Sequence, residues 1–356
     1  MNDASTNAAG PATMRNVRFE FRATGAEYFR IWIVNLLLTI LTLGIYSAWA
    51  KVRRLRYLYG STSLAGSAFE YHGEPMQILK GRLIAVGALA VYAAVTQVWP
   101  LTTLVLLPVL VLLVPLVVVL SRRFALRMTS WRNIRFGFHG RYPGALAAYV
   151  GWGVVALVTL YLLVPIWLQK RVRFLLDNTS LGTQRFAFAT GMGRYFAIYY
   201  IALALGIAVV VAIFAVSGGI GFALNAGGDA PSAAAGIGAG VLLVAGVILL
   251  PLAVGAYWER SYTNANFDGL AIGPHRVRCR LRVGRLLFLY VTNVLGVLLT
   301  LGLFYPWALV RRIRYQLECT SVDAAGSLDD FAAAAAPAAS ATGEAVGEIW
   351  DVDLGL

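Results

Sequence analysis

The chain has 356 residues, 59% of them apolar and 13% charged, with a mean hydropathy of +0.70. A charged fraction about half the soluble average excludes an ordinary soluble domain and points to a membrane-embedded protein. Net charge is +13, with every Lys and Arg at or before Arg314; these cations cluster at the ends of apolar segments, as anionic lipid head groups and the positive-inside rule select, so membrane lipids and not nucleic acid are the expected partners.

Residues 1–16 are small, polar and unpatterned, and read as a disordered tail. No signal-peptide pattern is present, so targeting is expected to use the first membrane segment. Phe19-x-Phe21 with Gly25 then alternates in the manner of a strand. Seven apolar segments follow, at about 28–50, 82–99, 101–120, 144–168, 195–217, 237–257 and 285–309. About 20 helical residues cross a hydrocarbon layer about 30 Å thick. The sixteen Leu and Val of segment 101–120 favour insertion by about 5–10 kcal/mol. Trp49, Trp167, Trp258 and Trp307 each precede a basic cluster, as an interfacial belt requires. Residues 17–331 are expected to form the membrane domain, and residues 332–356, Ala-rich and acidic, a second disordered tail.

An internal repeat runs through the chain. Arg56-Tyr57, Arg123-Phe124, Arg173-Phe174 and Arg314-Tyr315 are followed at one spacing by Thr62, Thr129, Thr179 and Thr320. After the first three Thr come Phe69/Tyr71, Phe136/Phe138 and Phe186/Phe188, then Gly73, Gly140 and Gly191. The expected fold class is an all-α polytopic membrane protein with internal repeats, carrying small cytoplasmic β-hairpins between its membrane segments. Segments 28–50, 144–168 and 285–309 each join two basic loops, which a single crossing would put on opposite sides. We take single tilted spans as the expectation; two half-helices broken at Thr42-Leu43-Gly44 and Thr300-Leu301-Gly302 are the alternative. The first and last segments match at an offset of 258: Asn35, Thr42, Gly44, Trp49, Arg53, Arg54, Arg56 and Tyr57 correspond to Asn293, Thr300, Gly302, Trp307, Arg311, Arg312, Arg314 and Tyr315.

The run Tyr28-Phe29-x-Ile31-Trp32-x-x-Asn35, Thr42-Leu43-Gly44-Ile45-Tyr46-x-Ala48-Trp49-Ala50-Lys51-Val52-Arg53-Arg54 and Gly66-x-x-Phe69-x-Tyr71-x-Gly73 resembles the YjgN-like family of bacterial inner-membrane proteins. The resemblance covers about residues 17–330. It implies a multi-pass protein of the inner, cytoplasmic membrane: location and architecture, not chemistry. The fourth repeat, Arg260 to Cys279, departs from the clean spacing.

No GxSxG, SxxK or HExxH occurs, and no His, Cys or acid recurs at metal-ligand spacing. We therefore expect no enzyme, no metal and no cofactor. His72 and His139 share one repeat position and read as polar strand ends; the repeated Thr read as turn caps. Two candidate sites emerge. Asn35 and Asn293 form a candidate intramembrane polar site. Arg53, Arg54, Arg56, Arg123, Arg173, Arg311, Arg312 and Arg314 are candidate contacts to head groups or another anionic ligand. Transport or permeation of a small solute or lipid is the first functional expectation; a non-catalytic scaffold or lipid-organising protein is the alternative.

Overall fold

The structure, a computed structural model, describes residues 14–225 and 233–336. Most of the two tails lies outside these residues, although 14–16 open a strand and 332–335 continue a helix.

The aromatic-x-aromatic elements are strands, and they do not remain separate hairpins. Strands β1 (Met14–Phe21), β2 (Thr62–Leu64), β3 (Ser67–Tyr71), β4 (Thr129–Trp131), β5 (Ile134–Phe138), β6 (Thr179–Leu181), β7 (Gln184–Phe188), β8 (Leu270–Ile272), β9 (His275–Cys279) and β10 (Thr320–Ala325) close into one antiparallel barrel. This corrects the expected all-α class with isolated hairpins. The physical reason is edge pairing. A lone two-stranded hairpin leaves both edges unpaired and is marginal in water. Here each hairpin hands its outer edge to the next, Tyr71 against Thr129 and Phe138 against Thr179. The first and last strands finish the circle, Val17 against Val322.

Four two-residue turns close hairpins at one end of the barrel. Ala65-Gly66 and Arg132-Asn133 have positive φ at both residues, as mirror-image turns require. Gly182 and Gly273 supply it at the first position of the other two. At the opposite rim every strand joins a helix, through ten joints in all.

Alternation points one aromatic of each pair inward. Phe19, Phe69, Phe136 and Phe186 form a stacked chain of rings, with successive centroids 6.2, 6.4 and 6.5 Å apart. Trp131, Leu181, Leu270, Ile272, Val277 and Val322 fill the remainder. Helix α12 (Leu328–Ala335) lies across the turn end. Phe331, Ala332 and Ala335 pack on this core, and Thr183 N–H donates to Ala335 O at 3.0 Å. A Cβ on Gly182 would overlap the Ala335 carbonyl, so that turn must be glycine.

Helices α1 (Gly25–Leu41) and α2 (Ser47–Gly60) leave the rim and return to it. So do α10 (Val283–Leu299) and α11 (Tyr305–Glu318). The middle segment does the same through α5 (Tyr142–Leu146), a π-turn (Ala147–Gly151), α6 (Trp152–Val158) and α7 (Val164–Asp177). Segments 28–50, 144–168 and 285–309 are therefore helix–turn–helix units and not single spans. Each break is built the same way. Thr42, Thr159 and Thr300 donate Oγ1–H to the carbonyl four residues earlier. The same oxygens accept from the N–H of Tyr46, Leu163 and Phe304. The next two residues of each turn have positive φ, and the second returns an N–H to the helix it leaves, as in a Schellman closure.

The other units are long pairs: α3 (Pro75–Val98) with α4 (Thr103–Arg127), and α8 (Met192–Asn225) with α9 (Ala233–Asp268). Among the described residues, three helices are long and apolar enough to cross a membrane: Pro75–Val98, Pro100–Arg127 and Met192–Gly219. Pro108 and Pro115 sit inside α4, which a membrane helix tolerates. Around the rim, α11 packs on α1, with Gly25 against the Trp307 ring and Phe29 4.9 Å from Trp307. The first and last units are thus neighbours, joined through α1 and α11.

Candidate functional site

The sequence-selected arginines all lie on the helices that return to the barrel rim, but their partners separate them into classes. Arg56 donates to Gly73 O at 3.2 Å, and its counterpart Arg314 to Ala23 O at 2.7 Å. Both tie a returning helix to the chain that has just left the barrel. Arg173 pairs with Asp177 one helical turn on, at 3.2 Å. Arg311 donates to Asn293 Oδ1 at 2.9 Å and to Thr292 Oγ1 at 3.1 Å. Arg312 makes two bonds to the Glu259 carboxylate, at 3.2 and 2.9 Å. Arg53 is exposed. Arg123 lines a recess of about 850 Å³ with Arg127, Arg141, Arg185 and His139.

Arg54 belongs to a second recess, of about 460 Å³, between α1, α2, α3 and the start of α11. Lys51, Arg54 and Arg82 line it together with Tyr28, Trp32, Asn35, Ser47 and Tyr305. Among the described residues, no carboxylate lines it. Arg82 donates to Ser47 Oγ. Burial, then the guanidiniums of Arg82 and Arg54, push the Lys51 ammonium below the ordinary lysine range. A cation so placed is stabilised by an incoming anion.

Asn35 and Asn293 diverge. Asn35 is 6% exposed and lines the Lys51 recess, and its buried Oδ1 has no hydrogen-bond partner among the described residues. Asn293 spends its amide inside its own unit, accepting from Arg311 and donating to Ala308 O at 3.3 Å. The structure does not join them in one site. Lys51, Ser47 and Arg82 were missed as a group by sequence reasoning. The available signal was Arg82, a cation near the start of an otherwise apolar segment.

The other singled-out residues knit the barrel. His72 and His139 each share a hydrogen bond with the Ser of the neighbouring hairpin, Ser130 at 2.8 Å and Ser180 at 3.0 Å. Thr62, Thr129, Thr179 and Thr320 each donate to the carbonyl four residues back, closing the helix that delivers the strand.

Residues 16–349 match a family described as bacterial protein of unknown function (DUF898). The chain belongs to that family. Among curated proteins it is similar to the inner membrane protein YjgN of Escherichia coli K12, 35% identical over 127 residues, covering 35% of this chain and 32% of that one. The Salmonella typhimurium LT2 protein of the same name is 29% identical over 147 residues, covering 41% and 37%. The alignments thus span about a third of the relatives' length. No solved structure matches. This member of the family is a bacterial inner-membrane protein.

Proposed function

We propose that this protein is a multi-pass, non-catalytic organiser of anionic lipid, holding head groups at the rim of a cytoplasmic barrel. The observation that carries the reading is the single rim. Among the described residues, every strand–helix joint but that of β10 with α12 lies at one end of the barrel, and the arginines sit on the helices that return to that end. The apolar flanks of α3, α4 and α8 sit immediately beyond them, with Leu83, Leu104 and Val211 among many exposed apolar side chains. Helices that enter a bilayer from that rim set the guanidiniums at head-group depth, where anionic lipid attracts them by about 1 kcal/mol each. The positive-inside rule then places the barrel in the cytoplasm.

Conduction through the barrel is a poorer reading. Its lumen is filled by the stacked phenylalanines and closed by α12. The test is lipid identification by mass spectrometry on the detergent-extracted protein. Co-purified lipid should be enriched in anionic species relative to the membrane it came from. Lipid in bulk proportion would overturn the proposal.

A further inference from the structure

Each helix–turn–helix unit carries a basic residue twelve positions after its break Thr: Arg54, Arg171 and Arg312. The three have different surroundings. Arg312 is neutralised by Glu259 on α9, the helix before its unit, while Tyr290 bonds the same carboxylate. Arg171 is held between the Tyr149 and Trp167 rings, 4.8 Å from each. Arg54 has neither arrangement. The helix before its unit is α11, and the residue standing as far ahead of β10 as Glu259 stands ahead of β8 is Leu309. Two further cations, Lys51 and Arg82, face the recess instead.

We propose that the Lys51–Arg54–Arg82 recess binds one phosphate ester that also bears a hydroxyl, as a phosphoglycerol group does. The proposal rests on the head-group reading above and names the group and its place. The ester anion takes the position that Glu259 occupies beside Arg312. Three cations around one space favour a group with more than one anionic or polar oxygen, through charge-assisted hydrogen bonds. Asn35 supplies the second half of the recognition. Its buried Oδ1 is an acceptor without a donor, a costly state in a closed site. A ligand hydroxyl meets it once the Asn35 side chain turns its amide oxygen toward the recess it already lines. An ammonium-bearing head group would bring a fourth cation into the recess, so the site selects against it. The recess volume, about 460 Å³, accommodates such a head group and leaves the acyl chains outside.

The experiment uses the full chain in detergent micelles containing equal dioleoyl phosphatidylglycerol and dioleoyl phosphatidylcholine, read by native mass spectrometry and thermal unfolding. The wild type should retain one phosphatidylglycerol. Arg82→Gln and Lys51→Gln should each lower that retention about tenfold, the effect of losing one charge-assisted contact. Leu309→Glu should also displace the lipid, by supplying the carboxylate found in the sister unit, while keeping or raising Tm. That variant separates loss of the site from loss of the fold. Millimolar glycerol phosphate distinguishes the sources. If it displaces the lipid, or alone stabilises wild type but not Arg82→Gln, the site takes the soluble ester; if it does neither while phosphatidylglycerol is held, the site takes the lipid. Wild type that prefers no anionic lipid and ignores glycerol phosphate would sink the rim reading itself. Retention of phosphatidylglycerol unchanged in Arg82→Gln and Leu309→Glu would leave the rim reading standing and overturn the recess.

Discussion

His275 is 1% exposed, its Nδ1 has no partner among the described residues, and its ring packs edge to face with Phe331, centroids 4.7 Å apart. Burial lowers its pKa below the ordinary histidine range. In the unfolded chain it titrates near ~6.5. Below that pH the unfolded state binds a proton that the folded barrel refuses, so stability falls as pH drops from about 6.5 to the depressed folded value. His275→Leu should therefore lose less Tm than wild type between neutral and mildly acidic buffer; equal losses would mean this ring does not set the acid response. A second residue-scale test concerns Glu259. Its carboxylate holds Arg312 and Tyr290, and its side chain is far more buried than that of Arg312. Glu259→Gln should cost about 1–2 kcal/mol, the scale of breaking a half-buried ion pair, read as a lowered unfolding midpoint in detergent. No change would show that solvent screens the pair completely.

At the scale of elements, the breaks and the end helix show what a sequence can and cannot announce. Two breaks were legible because Thr-Leu-Gly advertises a left-handed residue. The third was not, since Leu160 and Tyr161 take φ of 49° and 67° without a glycine. The surrounding capping bonds hold them there, together with the Tyr199 hydroxyl on α8, which donates to Tyr161 O at 3.2 Å. Gly302, at φ 94°, has open space around it, so Gly302→Ala meets strain and no clash. It should cost about 1–2 kcal/mol, whereas Gly302→Asn, which tolerates the left-handed region better, should cost less. Helix α12 was illegible for the opposite reason. Its alanines looked like tail composition, yet their small size lets its backbone lie against the hairpin turns. The boundary drawn at Phe331 falls inside the helix. Phe331→Ala should destabilise the barrel by about 2–3 kcal/mol, somewhat under the cost of emptying a fully buried Phe site. A change within error would mean the helix rests on the barrel without supporting it.

At the scale of the whole molecule, ring closure constrains sidedness in a way the charge rule could not. Basic loops on both flanks of three segments posed a conflict for single crossings. The barrel removes it, because a strand cannot pair across a bilayer, and every apolar unit must return to the side it left. What the sequence lacked was any mark of which strand pairs with which; three-residue strands such as Thr62–Leu64 carry almost no register information by themselves. Single cysteines at Ser67, Asn133 and Thr183, in a chain with Cys279 and Cys319 replaced, should all resist an impermeant thiol reagent in intact cells. One at Leu101, in the short connection between α3 and α4, should react. Labelling at any one of the three hairpin turns would break the shared-side arrangement.

The circle also has a timetable. Strand β1 is synthesised first, and one of its two neighbours, β10, is the last strand made. At about 5–20 residues per second, the interval between them is about 15–60 s. Throughout that time β1 and, later, β9 present bare edges while the apolar units are already entering the bilayer. A ribosome that stops before Thr320 therefore leaves an anchored, open sheet with two sticky margins, held at high local density on the membrane surface. Completion of the final strand is the moment at which the nascent chain stops being a hazard to its neighbours.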